Sequence, residues 1–236
     1  MINQLNLFPI SVYATILDVD KYSRTNMINS LYKLKEESDG IQVSNNGGWH
    51  SESGDILYRE DFLPLRKKII VCLEEIVDKY YHDVKKFNGL YYNDQTIHQG
   101  APKQIDFDEL IFNSWAIINK QNHSNHTHMH PNNWLSGVYY LKVPEDSGDL
   151  KFLDMISSRL HEGNKYWPTN LKQELRGSLR PAENTLFIFP AWLLHSVGIN
   201  KTSEDRICIS FNIPYPYFGV DNLMNSLLRE GYFNDK

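Results

Sequence analysis

Two periodicities divide the chain. Between residues 61 and 84 the apolar positions Phe62, Leu65, Ile69, Cys72, Leu73, Ile76, Val77, Tyr80 and Val84 recur at steps of three and four, with Lys, Glu and Asp between them. That spacing predicts a long amphipathic helix. Upstream, residues 6–10 and 12–17 read as an opening strand. Asp20 is placed to cap a helix over 21–37, and Gly40 to stop it. Ser44-Asn45-Asn46-Gly47-Gly48-Trp49 carries turn chemistry. Beyond Asn88 the period drops to two, and short apolar runs predict strands over 110–119, 135–143, 149–154, 185–189, 193–199 and 206–213. Pro, Gly, Asn and Asp separate these runs.

The expectation is a mainly β fold with flanking helices, an antiparallel sandwich or barrel whose outside the helices of the first half cover. Residues 157–178 read as an insertion between strands, of the kind that borders binding sites. A short helix over 221–229 closes the chain. We read residues 1–236 as one domain: a helical and strand support over 1–109, the β core over 110–218 and a C-terminal helix over 219–236.

Composition narrows the class. A net charge of −5 and 41% hydrophobic residues leave a sizeable core but no broad basic face, so small molecules and proteins are expected as partners rather than nucleic acid. Cys72 and Cys208 fall in a helical and a strand pattern, far apart, which fits buried free thiols in a reducing cytosol. The first residues do not form a secretory signal, and no run reaches the roughly 18 apolar residues of a membrane span. A cytoplasmic protein without a membrane partner is expected.

The densest chemistry lies in His126-Thr127-His128-Met129-His130-Pro131. Four of the nine histidines fall between 123 and 130, and in an extended chain His126, His128 and His130 share a side. Neutral imidazoles two residues apart can grip one first-row metal ion, with a third ligand brought in by folding. His195, after the apolar run 187–194, is the natural third. Three protein ligands leave coordination positions open for a co-substrate and oxygen, and neither cysteine is placed to close the set. In Arg206-Ile207-Cys208-Ile209-Ser210-Phe211-Asn212, alternation sets Arg206, Cys208, Ser210 and Asn212 on one face. A cation fixed on a cavity face needs an anion, and a carboxylate held in bidentate fashion meets that need.

At these residues a family likeness emerges. The blocks His128-Met129-His130-Pro131, Leu135-Ser136-Gly137-Val138-Tyr139-Tyr140-Leu141, Gly148-Asp149-Leu150-Lys151-Phe152, Phe189-Pro190-Ala191-Trp192-Leu193-Leu194-His195 and 206–212 occur in the order seen in 2-oxoglutarate- and Fe(II)-dependent oxygenases of marine bacteria and their phages. Residues 44–51 also resemble that family's N-terminal half. The resemblance implies a double-stranded β-helix (jelly-roll, cupin-like) barrel that holds Fe(II) at its mouth. It implies His128, His130 and His195 as metal ligands, and Arg206, with Tyr140 and Ser210, as contacts of 2-oxoglutarate. It further implies hydroxylation of a C–H bond of a second, unidentified substrate by O2, with release of succinate and CO2, in a host cytoplasm if phage-encoded. The chain departs from the wider pattern twice: His130 stands in the place of the usual carboxylate ligand, and Cys208 in that of the Ser of an Arg-x-Ser pair.

Other readings use the same residues. One is a three-His cupin-like metalloenzyme that does not use 2-oxoglutarate; another is a noncatalytic metal-binding or phage structural protein. His126 competes with His130 for the third ligand position, and otherwise it and His123 are solvated loop residues. Arg206 could instead pair with Glu204 or Asp205. Tyr140 and Trp192 could be core aromatics, while Trp134, Val138, Phe189 and Trp192 are expected as the apolar lining of the site. For His50 a plain turn explains the neighbouring glycines. An edge strand could pair across a two-fold axis, so a homo-oligomer is compatible with the sequence.

Overall fold

The computed structural model describes residues 10–52, 54–91, 112–153 and 176–214, with only the backbone of 80–91 and of Arg176. The expected strand over 6–9, the helix over 221–229 and most of the 157–178 insertion lie outside these residues. By internal contacts the chain divides into two compact units, 1–66 with 112–214, and 67–111 with 215–236.

The described residues of the first unit hold eleven strands: β1 (Tyr13–Ile16), β2 (Asn45–Asn46), β3 (Trp49–His50), β4 (Asn113–Asn119), β5 (Ser124–His128), β6 (Asn133–Lys142), β7 (Leu150–Leu153), β8 (Arg176–Leu179), β9 (Thr185–Pro190), β10 (His195–Val197) and β11 (Arg206–Pro214). They form a six-stranded sheet in the order β1-β9-β6-β11-β4-β3 and a five-stranded sheet in the order β2-β5-β10-β7-β8. All strand pairings are antiparallel. Among the described residues neither sheet closes on itself, so of the expected sandwich or barrel the jelly roll takes the two-sheet sandwich form. Period two explains the arrangement. Ile117, Val138, Tyr140, Phe187, Phe189 and Cys208 of the larger sheet cluster with Leu150 and Phe152 of the smaller one. Each such aliphatic or aromatic side chain contributes about 1.5–3 kcal/mol by leaving water.

The opposite face of β11, Ile207, Ile209 and Phe211, is fully buried as well. On that side helix α1 (Lys21–Glu37) contacts β6 and buries Met27 and Leu31. Asp20 caps α1 as expected, its carboxylate accepting from the Ser23 amide at 2.9 Å. Tyr32 Oη donates to Asp205 at 2.9 Å, and Arg24 pairs with Glu183 at 2.8 Å. In the long helix α2 (Leu63–Tyr91), Leu65, Ile69, Leu73, Ile76 and Val77 are buried at the predicted spacing, together with Ile70.

Three boundaries differ from the sequence reading. Residues 176–178 are not the end of an insertion but open β8, paired with β7. The 193–199 strand starts only at His195, because Pro190 to Leu194 turn the chain from one sheet to the other, the Leu193 amide donating to Pro190 O at 3.0 Å. The Asn45–Trp49 turn carries two short strands, with Gly47 and Gly48 at φ +78° and +32°. The two cysteines are free thiols. No helix among the described residues is long and apolar enough to cross a membrane.

Candidate active site

His128 ends β5 and His195 opens β10, and the two are direct register partners. His130 sits two residues past His128, in the turn after β5, where its amide donates to Ala191 O at 2.9 Å. One ring nitrogen from each of His128, His130 and His195 can be chosen so that all three lie within 4.8 Å of one another. Folding thus joins His195 to the pair, and His130 rather than His126 completes the trio.

Two of the three rings have a fixed tautomer. His128 Nδ1 faces the His126 carbonyl at 2.7 Å and His195 Nδ1 faces the Leu193 carbonyl at 2.9 Å. A carbonyl only accepts, so each Nδ1 carries the proton and each Nε2 keeps its lone pair. Burial and mutual proximity reinforce this neutrality. Burial first, and then the neighbouring imidazoles, push His130 down to about 3 and His195 to about 4, and burial lowers His128. All three are therefore neutral at pH 7, the form that binds metal.

The trio borders a cavity of about 550 Å³ between the two sheets. On its far wall the inward face of β11 presents Arg206, Cys208, Ser210 and Asn212, as alternation predicted, beside Tyr140 of β6. Arg206 is 1% exposed. Its Nη1 donates to the carbonyls of Ser147 and, at 3.0 Å, Gly198. Among the described residues Nη2 has no partner, and neither has the buried Tyr140 hydroxyl. The ion pairs considered from sequence do not form: Glu204 pairs with Lys142 at 2.9 Å and Asp205 accepts from Tyr32. Burial raises the Tyr140 phenol above its ordinary value and the Cys208 thiol to about 11, so both stay protonated. A buried guanidinium and a buried phenol, each with an unused donor, are costly unless an anion completes them. The residues therefore fit a carboxylate, and three neutral imidazoles fit a divalent first-row metal.

Other expectations change. His126 is exposed at the rim, where its carbonyl orients His128. His123 is no solvated accident: its Nδ1 accepts from the amides of Gly48, at 2.8 Å, and Lys120, at 3.1 Å. Val138 and Phe189 line the cavity, but Trp192 is 49% exposed and neither it nor Trp134 reaches the site. In their place stand Trp115 of β4 and His50 of β3, stacked at 5.6 Å with an interplanar angle of 11°. Alternation along Asn113-Ser114-Trp115-Ala116-Ile117 could have found Trp115; nothing local marked His50.

Comparison with known proteins agrees with this geometry. Residues 113–212 match the profile of a family described as "Putative 2OG-Fe(II) oxygenase". No curated protein matches the chain. Solved structures share the fold at low identity. The non-heme alpha ketoglutarate dependent epimerase SnoN from nogalamycin biosynthesis aligns with TM-score 0.57 at 11% identity, over 87% of this chain and 78% of that one. HygX from Streptomyces hygroscopicus, solved with nickel and 2-oxoglutarate, aligns with TM-score 0.53 at 9% identity, over 88% and 84%. A prolyl hydroxylase from Trichoplax adhaerens, in complex with a hypoxia inducible factor peptide fragment, gives 0.51 at 10%, over 86% and 83%. The fold is a jelly roll, and within it three imidazoles are placed where they could hold a metal ion. The β core, residues 113–212, is the part of the chain that is similar to the 2OG-Fe(II) oxygenase family.

Proposed function

We propose that the chain acts as one oxygenase domain in which His128, His130 and His195 hold Fe(II) and Arg206, Tyr140 and Ser210 bind 2-oxoglutarate, for hydroxylation of a C–H bond of a second substrate. The observation that carries this reading is that Arg206 Nη2 and the Tyr140 hydroxyl, both without a partner among the described residues, border the same cavity as the trio. When bound, the metal and co-substrate supply the oxidising chemistry, in which O2 and 2-oxoglutarate give succinate, CO2 and an oxygen atom for the C–H bond. The protein does the rest. The guanidinium and phenol fix the far carboxylate, and Ser210, on the same strand face, lies beside it. The Nδ1 bonds to His126 O and Leu193 O keep the imidazoles in their ligating tautomer. Val138, Leu150, Phe189 and Val197 line the cavity with apolar surface and restrict water near the reacting centre.

Incubation of the purified protein with ferrous iron and 2-oxoglutarate is expected to form succinate, even without a second substrate. His195→Ala and Arg206→Ala are each expected to abolish it. A protein that loads iron yet neither binds nor turns over 2-oxoglutarate would sink the proposal. The all-imidazole trio favours a second reading, a three-His metalloenzyme acting directly on its substrate. Activity that survives Arg206→Ala but not His195→Ala would establish that reading instead.

A further inference from the structure

Among the three imidazoles His130 is the exception. The rings of His128 and His195 are each pinned by a backbone carbonyl, whereas the His130 ring makes no hydrogen bond to any described residue. It also leaves the strand and sits in a turn, so no sheet register fixes its side chain. What borders it is aromatic: Trp115 at 5.5 Å between ring centroids, tilted 48°, with His128 at 5.0 Å and His195 at 5.1 Å. Trp115 in turn lies nearly flat on His50.

His50 is anchored. Its Nδ1–H donates to Ser51 O at 2.8 Å, and Ser51 is clasped to β4 by Ser51 N to Ala116 O and Ala116 N to Ser51 Oγ, both 3.0 Å. A column of rings, His50, Trp115 and His130, therefore runs from the β3–β4 edge to the metal trio. We propose that Trp115, backed by His50, is a positioning residue that holds the His130 imidazole in its ligating orientation, a task that carbonyls perform for the other two. The inference rests on the three-imidazole metal reading. Packing replaces hydrogen bonding here because rotation of an unpinned ring meets no barrier except its neighbours' surfaces. Loss of an orienting partner typically weakens metal binding 10- to 100-fold.

The test is a Co(II) titration of the full-length protein, read by the visible absorption of the bound ion and its Kd, on Trp115→Ala, His130→Ala and the double variant. Trp115→Ala is expected to weaken Co(II) about 10- to 100-fold, and the double variant to bind no more weakly than His130→Ala alone, since both changes remove the same ligand. Trp115→Phe, which keeps a ring face, is expected to restore most of the affinity and the wild-type spectrum. Wild-type Co(II) affinity in Trp115→Ala, or losses that add in the double variant, would overturn the proposal. Should circular dichroism show Trp115→Ala to be unfolded, His50→Ala replaces it in the same cycle, with the same expected non-additivity and the same overturning results. A wild-type protein that takes up no Co(II) would instead defeat the metal reading beneath it.

Discussion

Replacing Arg206 with Met separates a structural role from a binding role. Arg206 is 1% exposed, with Nη1 on two neutral carbonyls and Nη2 without a partner among the described residues. Met preserves the unbranched shape and removes the charge. In the ligand-free protein two effects then oppose each other. Two carbonyls lose a donor, at about 1–3 kcal/mol each, while the cost of an uncompensated buried cation, several kcal/mol, disappears. The ligand-free variant is therefore expected to melt within a few degrees of the parent. In the complex nothing offsets the loss, because the co-substrate's far carboxylate would be buried without its cation, at about 3–5 kcal/mol. At about 1.4 kcal/mol per decade this weakens 2-oxoglutarate on the order of a hundred- to several-thousand-fold. Calorimetric titration of 2-oxoglutarate into the Co(II) form, paired with thermal melts with and without it, reads both quantities. Binding within about threefold of wild type, or a ligand-free variant that no longer folds, would refute the assignment of the guanidinium to the co-substrate.

Further expectations follow from the same geometry. Gly148 has φ +97°, and an added Cβ would collide with Gly198 O and stand 2.8 Å from Arg206 Nη1; Gly148→Ala is expected to cost at least about 1 kcal/mol in denaturant melts and to weaken 2-oxoglutarate, whereas unchanged binding would show that the loop does not set the guanidinium. His130 and His195 titrate near 3 and 4 in the fold against an ordinary 6.5, so the unfolded chain binds more protons between those limits. Stability of the metal-free protein is thus full above pH 6.5 and falls on acidification towards pH 4, by up to about 1.4 kcal/mol per pH unit for each imidazole; pH-dependent melts that stay flat from 7 to 5 would contradict the buried neutral trio. Trp192→Ala, at a half-exposed position outside the cavity, is expected to leave Co(II) and 2-oxoglutarate affinities unchanged, as titration of both ligands would check.

What the sequence disclosed and what it hid follow from the range of each signal. Alternation is a local property of an extended backbone, so the inward set Arg206, Cys208, Ser210 and Asn212 was readable from one segment. So were the α1 cap at Asp20 and the buried stripe of α2, each fixed within a turn or two. The pairing of His128 with His195 came from resemblance and chemistry, since a register between residues 67 positions apart leaves no local trace. Alternation along β4 puts Trp115 on the inward face, but neither its role nor that of His50 leaves a local trace. Their role depends on a contact between β3, β4 and a turn after β5, and an isolated aromatic reads as core. Trp192 misled in the opposite direction: it sits in an apolar run, but that run turns between sheets at Pro190 to Leu194 and leaves the indole outside.

The proposed metal ligands belong to one sheet and its adjoining turn, while Arg206 and Tyr140 belong to the other. The span that a dicarboxylate must bridge is thus set by the thickness of the sandwich, about 10 Å between facing sheets, with Leu150, Phe152, Val138 and Phe189 as its spacers. The hydrophobic filling works as a calliper. On the proposed reading, thinning it by trimming Phe152 or Leu150 should shift preference among 2-oxo diacids of different carbon number, so selection for co-substrate length would reside in apolar packing between the sheets as well as in the polar groups at either end.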